Sequence, residues 1–63
     1  HNISQEEYLM IIKNYCKYYK IDYSDKDLKD SIKWSLQRGN RTGRTAWQYI
    51  IQLASSKNLK ISF

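Results

Sequence analysis

Ser4-Gln-Glu-Glu7 and Ser24-Asp-Lys-Asp27 are two versions of one device, a serine followed three places on by an acid. The serine hydroxyl accepts a backbone N–H at the start of a helix, and the acid reaches back to the serine's own N–H. Each is flanked by an apolar pair, Ile3 with Tyr8 and Tyr23 with Leu28, that staples the incoming chain to the helix it opens. Two such starts in 63 residues, with no proline anywhere to break a helix once begun, commit most of the chain to helix.

The apolar spacing fills in the rest. Tyr8, Leu9, Ile12, Tyr15, Cys16 and Tyr19 recur at intervals of three and four, which predicts an amphipathic helix over about 5–20. A second helix over about 25–38 has acids in its first turn, where the helix dipole favours them. Leu28, Ile32 and Leu36 read as its buried row, Trp34 lies away from that row, and Gly39 sits where a left-handed residue closes a helix. Thr42 caps a third helix over about 43–57, with Ala46, Trp47, Ile50, Ile51, Leu53 and Ala54 on its apolar face. Leu59-Lys-Ile-Ser-Phe63 alternates apolar and polar residues, as a short strand or an extended tail docked on the bundle would. The expected fold is all-α: a small three-helix bundle with a short C-terminal extended tail, one domain across residues 1–63.

A chain this short buries only about 60% of its unfolded surface, so modest stability is expected. One cysteine permits no internal disulfide, and one cysteine with one histidine assembles no metal cluster. Cys16 lies within an apolar stripe and reads as a buried core thiol. Charges interrupt every apolar run, leaving neither a membrane span nor a signal peptide, and the expectation is a soluble cytoplasmic protein without membrane partners. His1, in place of a methionine, reads as the start of a fragment and is assigned no role. Two tryptophans and six tyrosines exceed what one small core hides, so some of them are expected to face a partner.

Charge is segregated. Residues 1–30 carry five lysines and six acids, whereas residues 31–63 carry three lysines, three arginines and no acid. All the arginine lies in Arg38-Gly-Asn-Arg-Thr-Gly-Arg-Thr-Ala-Trp47. Arg38 suits the negative end of the second helix. Arg44 does not suit its place, because a cation in the first turn of a helix costs a few tenths of a kcal/mol up to about 1. Gly43 beside it weakens the helix start by roughly 0.5–1 kcal/mol relative to alanine. Two locally unfavourable choices side by side mark a functional position. Arginine beside free helix N-terminal amides, with no side chain on the neighbouring glycine, suits an anion, and its planar fork grips phosphate better than lysine does. The chain has no GxxxxGK[ST] loop and no Rossmann fingerprint, and Asp22, Asp25, Asp27 and Asp30 fit capping and a solvated face better than a catalytic cluster. No independent enzyme activity is expected from these residues.

The stretch from Ser31 to Ile50 resembles the C-terminal end of an uncharacterised family of bacterial AAA+ ATPases, P-loop proteins filed as a domain of unknown function. Their pattern is A-x-x-W-A-x-x-R-G-x-R-S-G-R-x-A-x-Q-F, and this chain has Thr42 for the serine and Tyr49 for the phenylalanine. The resemblance implies the small helical lid that follows the nucleotide-binding core, with that core of the same parent chain as its first partner and neighbouring subunits as further ones. It implies ATP and magnesium as cofactors of the parent, neither bound by this fragment alone. It also implies a sensor-2 arginine reaching the ATP phosphates: Arg44 first, Arg41 second, with Gly43 beside them. The P-loop, the metal-binding acids and the arginine finger would lie outside these residues.

Two other readings stand beside this one. A DNA-binding helix-turn-helix would place the third helix in the major groove, with Arg41, Arg44 and Gln48 near phosphates or bases, but beyond Arg44 its exposed face offers only Gln48, Gln52 and Ser55. A protein-interaction bundle would use an exposed Trp34 and the tyrosines.

Overall fold

The computed structural model of the chain describes residues 2–59, which form three helices: α1 (Gln5–Tyr19), α2 (Asp25–Gln37) and α3 (Gly43–Ser56). Residues 60–63, most of the expected tail, lie outside the described residues. Each helix starts where its cap predicts and ends one residue early, because Lys20, Arg38 and Lys57 occupy the C-caps. Gly39 takes the expected left-handed conformation at φ 77°. Lys20 (φ 56°) and Asn58 (φ 58°) do the same without being glycine. After α1 the reversal lets the Ile21 amide reach Cys16 O at 2.8 Å and buries the Ile21 side chain, a closing contact of the Schellman kind.

The two serine caps differ in detail. At Ser24 the box is complete, with Asp27 accepting from the Ser24 amide at 3.0 Å. At Ser4 the hydroxyl accepts from the Glu7 amide at 3.1 Å, but the Glu7 carboxylate takes the hydroxyl of Ser4 rather than its backbone N–H. Ile3 packs on the core as the staple requires, whereas Tyr23 remains exposed beside a half-buried Leu28.

α1 and α3 supply the large core side chains: Tyr8, Ile12 and Cys16 from the first, Ala46, Tyr49, Ile50, Leu53 and Ala54 from the second. In α2 the burial expected from the sequence needs correction. Its fully buried residues are Ser31 and Ser35, each at 0% exposure, while Leu28 and Ile32 flank them half-buried and Leu36 is 61% exposed. Trp34, expected off the buried row, packs edge-on against Tyr49 with ring centroids 5.8 Å apart. The serines can be buried because each hydroxyl donates back to its own helix, Ser31 to Leu28 O at 2.6 Å and Ser35 to Ile32 O at 2.8 Å. Ser31 and Ser35 lie one turn apart on the buried face of α2, and Leu36, rotated about 100° from Ser35, falls off that face into solvent.

Two buried tyrosines differ in one bond. Tyr49 Oη donates to Asp27 O at 2.9 Å, tying α3 to the first turn of α2, where Asp27 also meets Lys57 Nζ at 3.6 Å. Tyr8 Oη, fully buried, has no partner among the described residues. An unsatisfied buried hydroxyl costs about 1–3 kcal/mol, and a satisfied one contributes about 1. Tyr8→Phe should therefore raise unfolding stability by about 1 kcal/mol and Tyr49→Phe should lower it by about as much, as urea denaturation would report.

Desolvation raises both phenols, Tyr8 to about 12 and Tyr49 further, with Arg38 opposing the shift at Tyr8 and Asp27 adding to it at Tyr49. The folded state thus holds both rings neutral, while the unfolded chain ionises them near pH 10. A raised folded-state pKa stabilises below the unfolded value and loses that contribution as pH climbs through the folded one. Denaturation midpoints should hold up to about pH 10 and fall between there and pH 12.

Candidate functional site

The three arginines of the α2–α3 corner have different occupations. Arg38, at the C-cap of α2, lays its guanidinium over the Trp34 ring with Cζ 3.2 Å from the centroid, and donates Nη1 to Trp34 O at 3.1 Å. That is a cation–π contact combined with capping of a helix-end carbonyl. Arg41 is half-buried and is engaged through both main chain and side chain. Its carbonyl accepts from the Ile3 amide at 2.7 Å, and its Nε donates to Ile3 O at 3.3 Å. The pair fastens the segment before α1 to the turn before α3.

Arg44 has no such employment. It is exposed in the first turn of α3, and its side chain makes no hydrogen bond or ion pair among the described residues. The helix start around it is built by Thr42, whose Oγ1 accepts from the Thr45 amide at 3.2 Å, and by Asn40, whose side-chain oxygen accepts from the Thr45 hydroxyl. That cap satisfies the third amide of the helix. The amides of Gly43 and Arg44 ahead of it find no acceptor among the described residues, as the geometry of a helix start dictates.

Among the described residues, Gly43 is required by neither conformation nor packing. Its φ lies outside the left-handed region, and a Cβ added there would meet nothing within 4 Å. The structure therefore brings Gly43 and Arg44 together at an open helix start, and leaves Arg41, the second candidate for a phosphate contact, as a structural tie. Alanine at position 43 should raise the stability of the chain by about 0.5–1 kcal/mol through helix propensity. A drop on thermal or urea denaturation of Gly43→Ala would show that the fold itself needs the glycine.

Beside Arg44 lies a shallow, open groove of about 370 Å³ lined by Tyr15, Tyr19, Gly43, Arg44 and Trp47. Its rings form a connected cluster: Tyr15 and Trp47 at 5.2 Å, Tyr19 and Trp47 at 5.6 Å, and Tyr15 and Tyr19 stacked at 6.5 Å with 23° between their planes. In the sequence these rings belong to the apolar faces of α1 and α3, and nothing in their spacing connects them with Arg44. The available signal was their position at the edge of the α1 stripe, one turn apart. A second groove of about 330 Å³ between α2 and α3 carries Asp27 and Asp30 on its wall, which disfavour an anion there. Among the described residues no three metal-ligating side chains converge, and no helix is long and apolar enough to cross a membrane.

Residues 1–57 match the family described as "Protein of unknown function (DUF815)". The chain belongs to this family. No curated protein and no solved structure matches the chain.

Proposed function

We propose that this chain is the C-terminal helical lid of an AAA+ ATPase, and that Arg44 is its sensor-2 arginine, directed at the phosphates of ATP bound to the nucleotide-binding core of the same parent protein. The observation that carries this reading is the contrast within the corner: of three arginines, two are held by Trp34 and Ile3, and the third, beside the first amides of α3, makes no hydrogen bond or ion pair among the described residues. A guanidinium in that position neutralises charge on a phosphoryl group, and its attachment to a separate small bundle allows movement of that bundle to be coupled to hydrolysis. ATP and magnesium belong to the parent, whose P-loop and metal-binding acids lie outside these residues.

A DNA-binding role receives less support. The exposed side of α3 presents Arg44, Gln48, Gln52 and Ser55, a single cation where a duplex-binding helix usually presents several. Trp34, the anchor expected for a protein-interaction surface, is half-buried against Tyr49 and under Arg38.

In the full-length parent, Arg44→Ala should lower ATP turnover by about 10²-fold, the scale for loss of one charge-stabilising donor, with the melting temperature of the protein retained. Arg41→Ala should show the opposite profile, a loss of stability with smaller effect on turnover, because it breaks the tie to Ile3. Unchanged turnover in Arg44→Ala would remove Arg44 from the role.

A further inference from the structure

Leu28, Ile32 and Leu36 are spaced as the buried row of α2, yet the fold gives the innermost positions to Ser31 and Ser35 and leaves the aliphatic row at their flank. Leu28 and Ile32 pack half-buried against the core, and Leu36 continues the row one turn on with 61% of its surface exposed. A single exposed leucine is ordinary, but three aliphatic side chains at successive turns form a ridge of the kind that seats in the groove of another helix. The ridge lies toward α1. On the other side of the two serines, Trp34 packs on Tyr49 and the Asp27 carbonyl accepts from its hydroxyl, so that side belongs to α3. On α1, Tyr15 and Tyr19 meet α3 at Trp47, which by the helical period turns Leu9, Lys13 and Lys20 toward α2. Residues 20–24 join the two helices, a link so short that they run as antiparallel neighbours, and the half-buried Leu9 therefore stands at the same end of the bundle as Leu36.

We infer that this seam of α1 and α2 docks an amphipathic helix of a partner protein, one whose apolar row is flanked by aspartate or glutamate. The border of the seam decides the partner's charge. Lys13 and Lys20 on α1 and Lys29 on α2 are exposed beside it, and none of them makes an ion pair among the described residues. The acids on the same side, Glu6 and Asp25, stand in the first turns of their helices at opposite ends of the seam, where the helix dipoles account for them. Between those ends the surface is apolar with a basic border, and acidic flanks on the incoming helix pair with that border.

Other occupants fit less well. A second copy of the chain would set lysine against lysine across the same ridge. A lipid surface rewards a helix that offers a whole apolar face, whereas here two of the three ridge residues are already half-covered by their own core. Burial of what remains exposed on Leu36 is worth about tenfold in affinity, and the lysines add speed of association and choice of partner. Neither Gly43 nor Arg44 belongs to this surface.

The test is an NMR titration of the chain with two helical peptides of about four turns, each carrying leucines at spacings of three and four in an alanine background, one flanked by glutamate and the other by lysine. The glutamate peptide is expected to shift the amides of α2 from Lys29 to Gln37 and those of Leu9 and Lys13, to leave Gln48 and Gln52 in place, and to bind more weakly as salt is raised. The lysine peptide should bind at least about tenfold more weakly. Leu36→Gln, which keeps a good helix former at an exposed position, should retain the melting temperature and weaken the glutamate peptide by about tenfold. Lys13→Glu combined with Lys29→Glu should shift the preference toward the lysine peptide. The inference is overturned if the glutamate peptide leaves the α2 ridge unmoved, if Leu36→Gln binds it normally, or if the lysine peptide binds equally well. It is also overturned if vesicles of anionic phospholipid move the ridge and the glutamate peptide does not.

Discussion

The two hydrogen bonds between Ile3 and Arg41 hold the arginine corner in the fold, and much else depends on them. One runs from the Ile3 amide to the Arg41 carbonyl, the other from the Arg41 guanidinium to the Ile3 carbonyl, across 38 positions of sequence. They join the two places where helices begin, so the first turns of α1 and α3 lie near one another. Ile3 is thereby delivered to the core as the staple partner of Tyr8. Thr42, next in the chain, is placed to cap α3, and Arg44 is carried out to the surface at its start. The same tie occupies Arg41, and that separates the corner's structural arginines from the one left over.

Around this tie the helices divide the work unequally. α1 and α3 bring the fully buried rings and branched side chains, and α2 brings two buried serines, the half-buried Leu28, Ile32 and Trp34, and a first turn that collects bonds from elsewhere. Asp27 closes its own cap with Ser24, receives Lys57 and offers its carbonyl to Tyr49. The groove beside Arg44 is a consequence of that division. With the centre of the core filled by Tyr8, Ile12, Cys16 and Ile50, the next rings on α1 and α3, Tyr15, Tyr19 and Trp47, are only half covered and line the side where Gly43 and Arg44 emerge.

The starts of all three helices could be read from the sequence because capping is local chemistry: a serine or threonine and the residues three places on decide it without reference to the rest of the chain. Gly39 was legible for the same reason. The burial of α2 was not, because two serines score as polar in any hydrophobic pattern, and what makes them core residues is a hydroxyl bonded back to its own helix and a neighbour close enough to exclude water. The oddity of Arg44 was visible as a clash with the helix dipole. The tie that holds Arg41 was hidden, since Ile3 lies 38 residues away and no local rule joins the two. Periodicity places the rings beside Arg44 on the apolar faces of α1 and α3 and says nothing of how completely those faces are covered.

The central claim is that the corner keeps one guanidinium free for an anion. The most direct measurement is the Nε–H resonance of each arginine, followed by NMR for hydrogen exchange and then titrated with inorganic tripolyphosphate. The expected result is a protected Arg41 Nε–H, a rapidly exchanging Arg44 Nε–H, and a shift on adding the polyanion that is confined to Arg44. A protected Arg44, or a titration in which Arg41 or Arg38 moves in its place, would contradict it.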